Sequence, residues 1–161
     1  MDQRELYQGY GRSGIDAKGR LTIPASLRST IDANSLEQSV TIALHEKSPC
    51  LIAYDQAWAL LLREELRDDE RAARASGATF DRDNRKRRAF GPVEKIPFDE
   101  SGRCIIPAFH TQKAKLTDAA FFCASGDTFE IWDPETLYAS DDVDDDMKDL
   151  CRWTMSQKGR K

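Results

Sequence analysis

The chain repeats itself. Aligning residues 16–25, DAKGRLTIPA, with residues 99–108, DESGRCIIPA, at an offset of 83 gives six identities in ten positions: Asp16/Asp99, Gly19/Gly102, Arg20/Arg103, Ile23/Ile106, Pro24/Pro107 and Ala25/Ala108. A duplicated unit must fold into the same local turn twice, and that narrows the possible architectures more than composition does. Half of a 161-residue chain buries only a modest share of its surface. The two halves are therefore expected to lean on each other or on neighbouring chains.

The correspondence continues downstream. Residues 40–45 and 51–54 are two short apolar runs across a turn, and residues 120–125 and 129–132 repeat the arrangement. Each pair ends in an aromatic residue and an Asp, Tyr54-Asp55 and Trp132-Asp133, where a helix can start. One unit then reads as strand, tight turn at 17–19, strand 20–23 closed by Pro24, short helix over 25–31, hairpin, helix. In the first terminal helix Trp58, Leu61, Leu62 and Leu66 form one apolar stripe. The second starts Asp133-Pro134-Glu135, then runs into 141–146 with little apolar face. A short or frayed helix is expected there, with Leu150 and Trp153 re-docking.

These signals divide the chain into unit 1 over 7–55 followed by a helix over 56–75, a basic connecting segment over 76–92, unit 2 over 93–138, and a tail over 139–161 that is first acidic and then basic. The connecting segment carries Arg82, Arg85, Lys86, Arg87 and Arg88 and ends in Gly91-Pro92. Arg85 and Arg88 are spaced to share a helix face. Residues 158–161 read as a disordered basic end.

In the motif D-x-x-G-R-x-x-I-P each residue type has a physical task. Asp16 and Asp99 can accept backbone N–H groups inside the turn. Gly19 and Gly102 supply the positive φ that a tight turn requires. Pro24 and Pro107 close the strand, and Ile23 and Ile106 face the core. Arg20 and Arg103 either reach out from a rigid edge or fold back onto the Asp. A tip bearing Lys18 and Arg20 suits DNA phosphates, and arginine is shaped for bidentate contact with guanine O6 and N7 in a major groove that admits a two-stranded ribbon. In the second copy Ser101 replaces Lys18 beside Glu100, so that tip is expected to bind more weakly or to serve structure.

The net charge of −4 does not oppose this, because the charge is uneven. Residues 127–149 hold ten acids and one base, a local −9, which leaves +5 for the rest of the chain. Residues 1–30 hold five bases against three acids. Binding follows the field within about 10 Å, not the sum over the chain. The acidic run 141–146 reads either as a solvated patch or as a counter-charge near a DNA face. Cys50, Cys104, Cys123 and Cys151 are scattered without a C-x-x-C pair, and His45 and His110 add no metal spacing, so reduced structural thiols in a cytoplasmic protein are expected and no metal or cofactor is called for. No run of residues reaches the roughly 18 apolar positions of a membrane span, and the N-terminus has no apolar signal core.

With YQGYGRSGIDAKGRLTIPASLR, a hairpin ending in CLIAYDQAWALL, a basic helix and FDESGRCIIPAFH in that order, the chain strongly resembles the MraZ family of bacterial transcription regulators, from about Tyr7 to Tyr138. The resemblance implies a mainly β fold with flanking helices, two AbrB-like swapped-hairpin units forming a pseudo-two-fold β-barrel. It implies a ring homo-oligomer on the nucleoid. The ring would bind double-stranded DNA at short G-rich direct repeats upstream of the division and cell-wall genes, its own promoter included, usually as a repressor. It carries Arg20 over as a DNA-contacting residue, with Lys18 beside it and Arg103 in the second element. The family often begins its first unit with Phe-Arg-Gly, whereas Tyr7-Gln8-Gly9 here lacks that Arg, and Arg12 is expected to compensate. The expected DNA-binding set is Arg12, Lys18, Gly19, Arg20, Thr22 and Arg103, with Asp16, Asp99, Gly102, Pro24 and Pro107 shaping the turns. One alternative is an assembly scaffold on the same fold that does not bind specific DNA. An enzyme using Asp16 and Asp99 as acids has only their repetition in its favour, and turn geometry explains that better.

Overall fold

Strand pairing crosses between the two halves. The computed structural model describes residues 3–157, and the expected basic end over 158–161 lies outside them. The elements are β1 (Tyr10–Gly14), β2 (Arg20–Thr22), α1 (Ala25–Asn34), β3 (Ser39–Leu44), β4 (Leu51–Tyr54), α2 (Gln56–Ser76), α3 (Arg82–Phe90), β5 (Glu94–Pro97), β6 (Arg103–Ile105), α4 (Ala108–Lys113), β7 (Ala119–Ala124), β8 (Phe129–Trp132), α5 (Pro134–Tyr138) and α6 (Asp145–Ser156). Six strands form one antiparallel sheet in the order β1-β7-β8-β4-β3-β5, and β2 pairs β6 in a separate two-stranded ribbon. Exchanging each strand with its counterpart in the other repeat gives the same order reversed. The first strand of each unit lies against the hairpin of the other.

The fold is mixed α/β around a mostly antiparallel sheet. Where a closed barrel was expected, the ladder among the described residues is open, with β1 and β5 at its edges. Sequence explains why. The ribbon strands are three residues long because Pro24 and Pro107 stop them. Between β1 and β2 the link is a side chain: the Thr22 N–H donates to Ser13 Oγ at 2.8 Å.

Alternation along the strands sends one set of residues to each face. On one face Val40, Ile42, Leu51, Phe122, Phe129 and Ile131 meet Leu21, Ile23, Cys104 and Ile106 of the ribbon, with Leu27 and Ile31 of α1, as the main core. On the other face Trp58 of α2 packs on Ala43 and Tyr54, while α6 packs Cys151 near Cys50, Phe121 and Trp132. Asp55 caps α2 through the Trp58 N–H, as its position before the apolar stripe predicts.

The helix after Asp133 is short, as expected, and Leu150 re-docks beside Cys151 and Trp132; the second helix that carries it was not expected. Helix α5 stops at Tyr138, and a separate helix α6 starts after Asp144, whose side chain accepts the Met147 N–H. Asp145 and Asp146 occupy its first turn, where the helix dipole favours negative charge. The second half of the acidic run, residues 144–146, is thus a helix start, while Asp141 and Asp142 are exposed in the turn before it. Cys151 and Thr154 are the buried residues of α6, and Trp153 is half-exposed, edge-on to Tyr10. Burial holds all four thiols protonated at neutral pH; the Cys123 thiol is pushed up to about 11 and that of Cys104 to about 12. All four cysteines are free. Among the described residues no helix is long and apolar enough to cross a membrane.

Candidate nucleic-acid interface

The two repeated turns carry the same hydrogen bonds. In the first, the Gly19 N–H donates to the Asp16 carbonyl and the Asp16 N–H to the Arg20 carbonyl. Asp16 Oδ1 accepts the Lys18 and Arg20 N–H groups at 2.9 and 3.0 Å, and Oδ2 accepts Arg20 Nε at 2.8 Å. In the second, Asp99 Oδ1 accepts the Ser101 and Arg103 N–H groups, both at 2.9 Å, and Oδ2 accepts Arg103 Nε at 2.9 Å. These donors, first the backbone N–H of the following Arg, hold both carboxyls below the usual carboxylate range. Gly19 and Gly102 sit at φ +81° and +86°, the left-handed region that glycine alone enters freely.

Arg20 and Arg103 therefore fold back onto Asp through Nε alone. No hydrogen bond among the described residues uses the two terminal nitrogens of either guanidinium. The turn brace and an outward-facing two-pronged donor are compatible in one side chain.

The ribbon joins the two tips. Arg20 is opposite Ile105, Leu21 opposite Cys104, and Thr22 opposite Arg103. Leu21 and Cys104 point into the core, so Arg20, Thr22, Arg103 and Ile105 share the outer face. Lys18 is exposed at the first tip. Arg12 is not brought to this face: its Nη1 donates to the Met155 carbonyl at 2.6 Å and ties β1 to α6. Pro24 and Pro107 occupy the position before α1 and α4, where a missing N–H costs nothing.

Arg28 and Ile105 were missed from sequence. Arg28 lies over the second turn, with Nε donating to the Ile23 carbonyl at 3.0 Å and Nη1 to the Glu100 carbonyl at 3.2 Å. A Cβ on Gly102 would lie 2.3 Å from Arg28 Nε, whereas one on Gly19 would meet nothing closer than Ile105 Cγ2 at 4.0 Å. The tips therefore differ in cover, not in turn chemistry. Gly19→Ala is expected to cost about 1 kcal/mol through φ alone, and Gly102→Ala roughly 1 kcal/mol more, because Arg28 must give up its bonds to the Ile23 and Glu100 carbonyls. Urea melts of the two variants check the order.

The connecting segment's bases are spent mostly within the fold. Arg85 pairs with Asp69 and Glu46 and stacks over Phe80 at 5.0 Å, and Arg88 donates to the His45 carbonyl. Near by, the donor atoms of His45, Cys50 and Glu130 lie within 4.8 Å of one another. His45 Nδ1 accepts the Lys47 and Ser48 N–H groups, which leaves the ring proton on Nε2, 3.3 Å from Glu130. A ligating histidine donates its other N–H, so this cluster reads as a hydrogen-bonded bridge between hairpins.

Residues 89–139 match the family described as "MraZ protein, putative antitoxin-like". The Transcriptional regulator MraZ of Ruegeria sp. (strain TM1040) is 32% identical over 138 residues, covering 81% of this chain and 78% of that protein. That of Hydrogenovibrio crunogenus is 33% identical over 139 residues, 84% of each. That of Pseudomonas syringae pv. syringae is 29% identical over 141 residues, 86% of this chain and 87% of that protein. Identity at this level across most of both chains, with the repeated turn intact in both copies, leaves one conclusion: the chain belongs to the MraZ family.

Proposed function

We propose that this protein is a sequence-specific DNA-binding transcriptional regulator, acting as a repressor at short G-rich direct repeats upstream of the division and cell-wall genes. Its relatives carry the name of transcriptional regulator, and a regulator needs no catalytic residue. The observation that carries the reading is the outer ribbon face, where Arg20 and Arg103 each keep Nε on an Asp. That contact fixes the guanidinium plane and leaves two parallel N–H donors for guanine O6 and N7. Lys18 and Thr22 add a phosphate contact and a hydroxyl, and Gly19 lets the backbone approach closely. The two halves act as tandem AbrB-like units, and several chains assemble into a ring in the cytoplasm, on the nucleoid, so that repeated tips meet repeated sites.

The test is a gel-shift of the full chain on a duplex with G-rich direct repeats and on a scrambled duplex, over a salt series. Affinity is expected to favour the repeats and to fall steeply with salt, the log–log slope being about −0.9 for each phosphate contacted. Equal affinity for both duplexes, or a flat salt plot, refutes the reading and favours the scaffold alternative. Native mass spectrometry with and without the duplex tests the ring in the same samples.

A further inference from the structure

We propose that Ile105 is a specificity-determining residue that packs against the C5 methyl of a thymine beside the guanine contacts. This rests on the DNA-binding reading above and names part of what that face recognises.

Ile105 stands at the position equivalent to Thr22, third residue of the repeated R-x-x. Its neighbours Cys104 and Ile106 are buried, while Ile105 is 54% exposed in the middle of the outer ribbon face. The fold gains little from a β-branched apolar side chain in water. Its position is set on two sides. Arg20 is its cross-strand partner, and Arg103 precedes it by two residues on the same strand and the same face. Its Cγ2 leans toward the first turn at Gly19. An apolar group bounded by two cations offers little area to another protein, but it matches a methyl group standing among polar edges in the major groove. Thymine presents the only such methyl there.

The spacing agrees. Directly paired residues in an antiparallel ribbon are about 5 Å apart, and residues two apart on one strand about 6.8 Å. Bases stack about 3.4 Å apart along a strand. Ile105 therefore meets a base within about two steps of the guanines that Arg20 and Arg103 contact. The first repeat offers the Thr22 methyl and hydroxyl at the equivalent place, so the two halves of one ribbon present unlike readers.

The experiment is a double-mutant cycle between protein and DNA. Full-length wild type and Ile105→Ala are titrated against the G-rich repeat duplex and against the same duplex with every thymine replaced by deoxyuridine, which lacks the methyl. Wild type is expected to bind the deoxyuridine duplex about fourfold more weakly per contacted methyl, the size of burying one carbon. Ile105→Ala is expected to lose at least half of the wild-type discrimination in free-energy terms, the Thr22 methyl keeping the rest, and Ile105→Val to keep most of it. Wild type indifferent to the replacement, or Ile105→Ala that discriminates as strongly as wild type, overturns the proposal while specific binding stands. Wild type that prefers neither duplex to a scrambled one overturns the DNA reading itself and this inference with it.

Discussion

Asp55→Ala is expected to lower the stability of the fold by about 3–5 kcal/mol, the scale for removing one partner of a buried ion pair. Asp55 is 0% exposed and accepts from five donors. Arg4 Nη2 lies at 2.5 Å and Arg4 Nε at 3.3 Å, Tyr7 OH at 2.7 Å, Asn34 Nδ2 at 3.2 Å and the Trp58 N–H at 3.2 Å. The Arg4 side chain is only 7% exposed and also reaches Asp127 in the turn between β7 and β8. Loss of the carboxylate strips the cap of α2, takes the Asp55 carboxylate away from the buried Arg4 guanidinium, and loosens the N-terminal segment that bridges the halves. Equilibrium urea unfolding checks the size, and a loss below about 1 kcal/mol would show that the network carries little. The variant also changes the pH response. Burial by itself raises the Asp55 carboxyl, but hydrogen bonds from Arg4 and Tyr7 outweigh that and set it below its ordinary value. A depressed carboxyl contributes its full stability above about pH 4 and loses it as pH falls through the folded value. Acid unfolding below about pH 4 is therefore expected to be shallower in Asp55→Ala than in wild type.

Arg20→Ala is expected to lower affinity for the G-rich duplex by about 1–3 kcal/mol, up to about a hundredfold, with the melting curve unchanged. The side chain is half-exposed and makes one ion pair, with Asp16, an exposed contact of small weight for folding. Its value lies in the fixed guanidinium plane. Arg20→Lys is therefore expected to restore the phosphate attraction and the salt slope but not the preference for repeats over scrambled DNA, because an ammonium has no fork. Arg103→Ala is expected to cost less: Ser101 stands where Lys18 does, and Arg28 covers that turn. Fluorescence anisotropy on both duplexes separates the cases. An equal loss in both arginine variants would mean that the shared ribbon, not the flanking charge, sets the contribution.

Sequence alone determined what is local. The repeated Asp, Gly, Arg and Pro specify a turn that closes within five residues, so its hydrogen bonds could be written down from residue types and spacing. Asp55 and Asp133 marked helix starts for the same reason, because a cap needs only the next three residues. Ile105 was legible in principle, since inward Cys104 and Ile106 force it outward, but an apolar R-C-I-I run hides the alternation. Other features depended on partners far along the chain. The strand order β1-β7-β8-β4-β3-β5 and the pairing of β2 with β6 rest on contacts across the duplication, and a period of two fixes which face a residue takes, not which strand lies beside it. The tie from Arg12 to a carbonyl of α6 could not be read from the residues around it. The spacing of Arg85 and Arg88 suggested a shared helix face, but not that Asp69 and Glu46 would meet Arg85 and the His45 carbonyl Arg88. The acidic run read as a solvated patch or a counter-charge, and only the second helix behind it showed that residues 144–146 start that helix. Local chemistry wrote the two turns, and long-range pairing decided that they share one ribbon and one face.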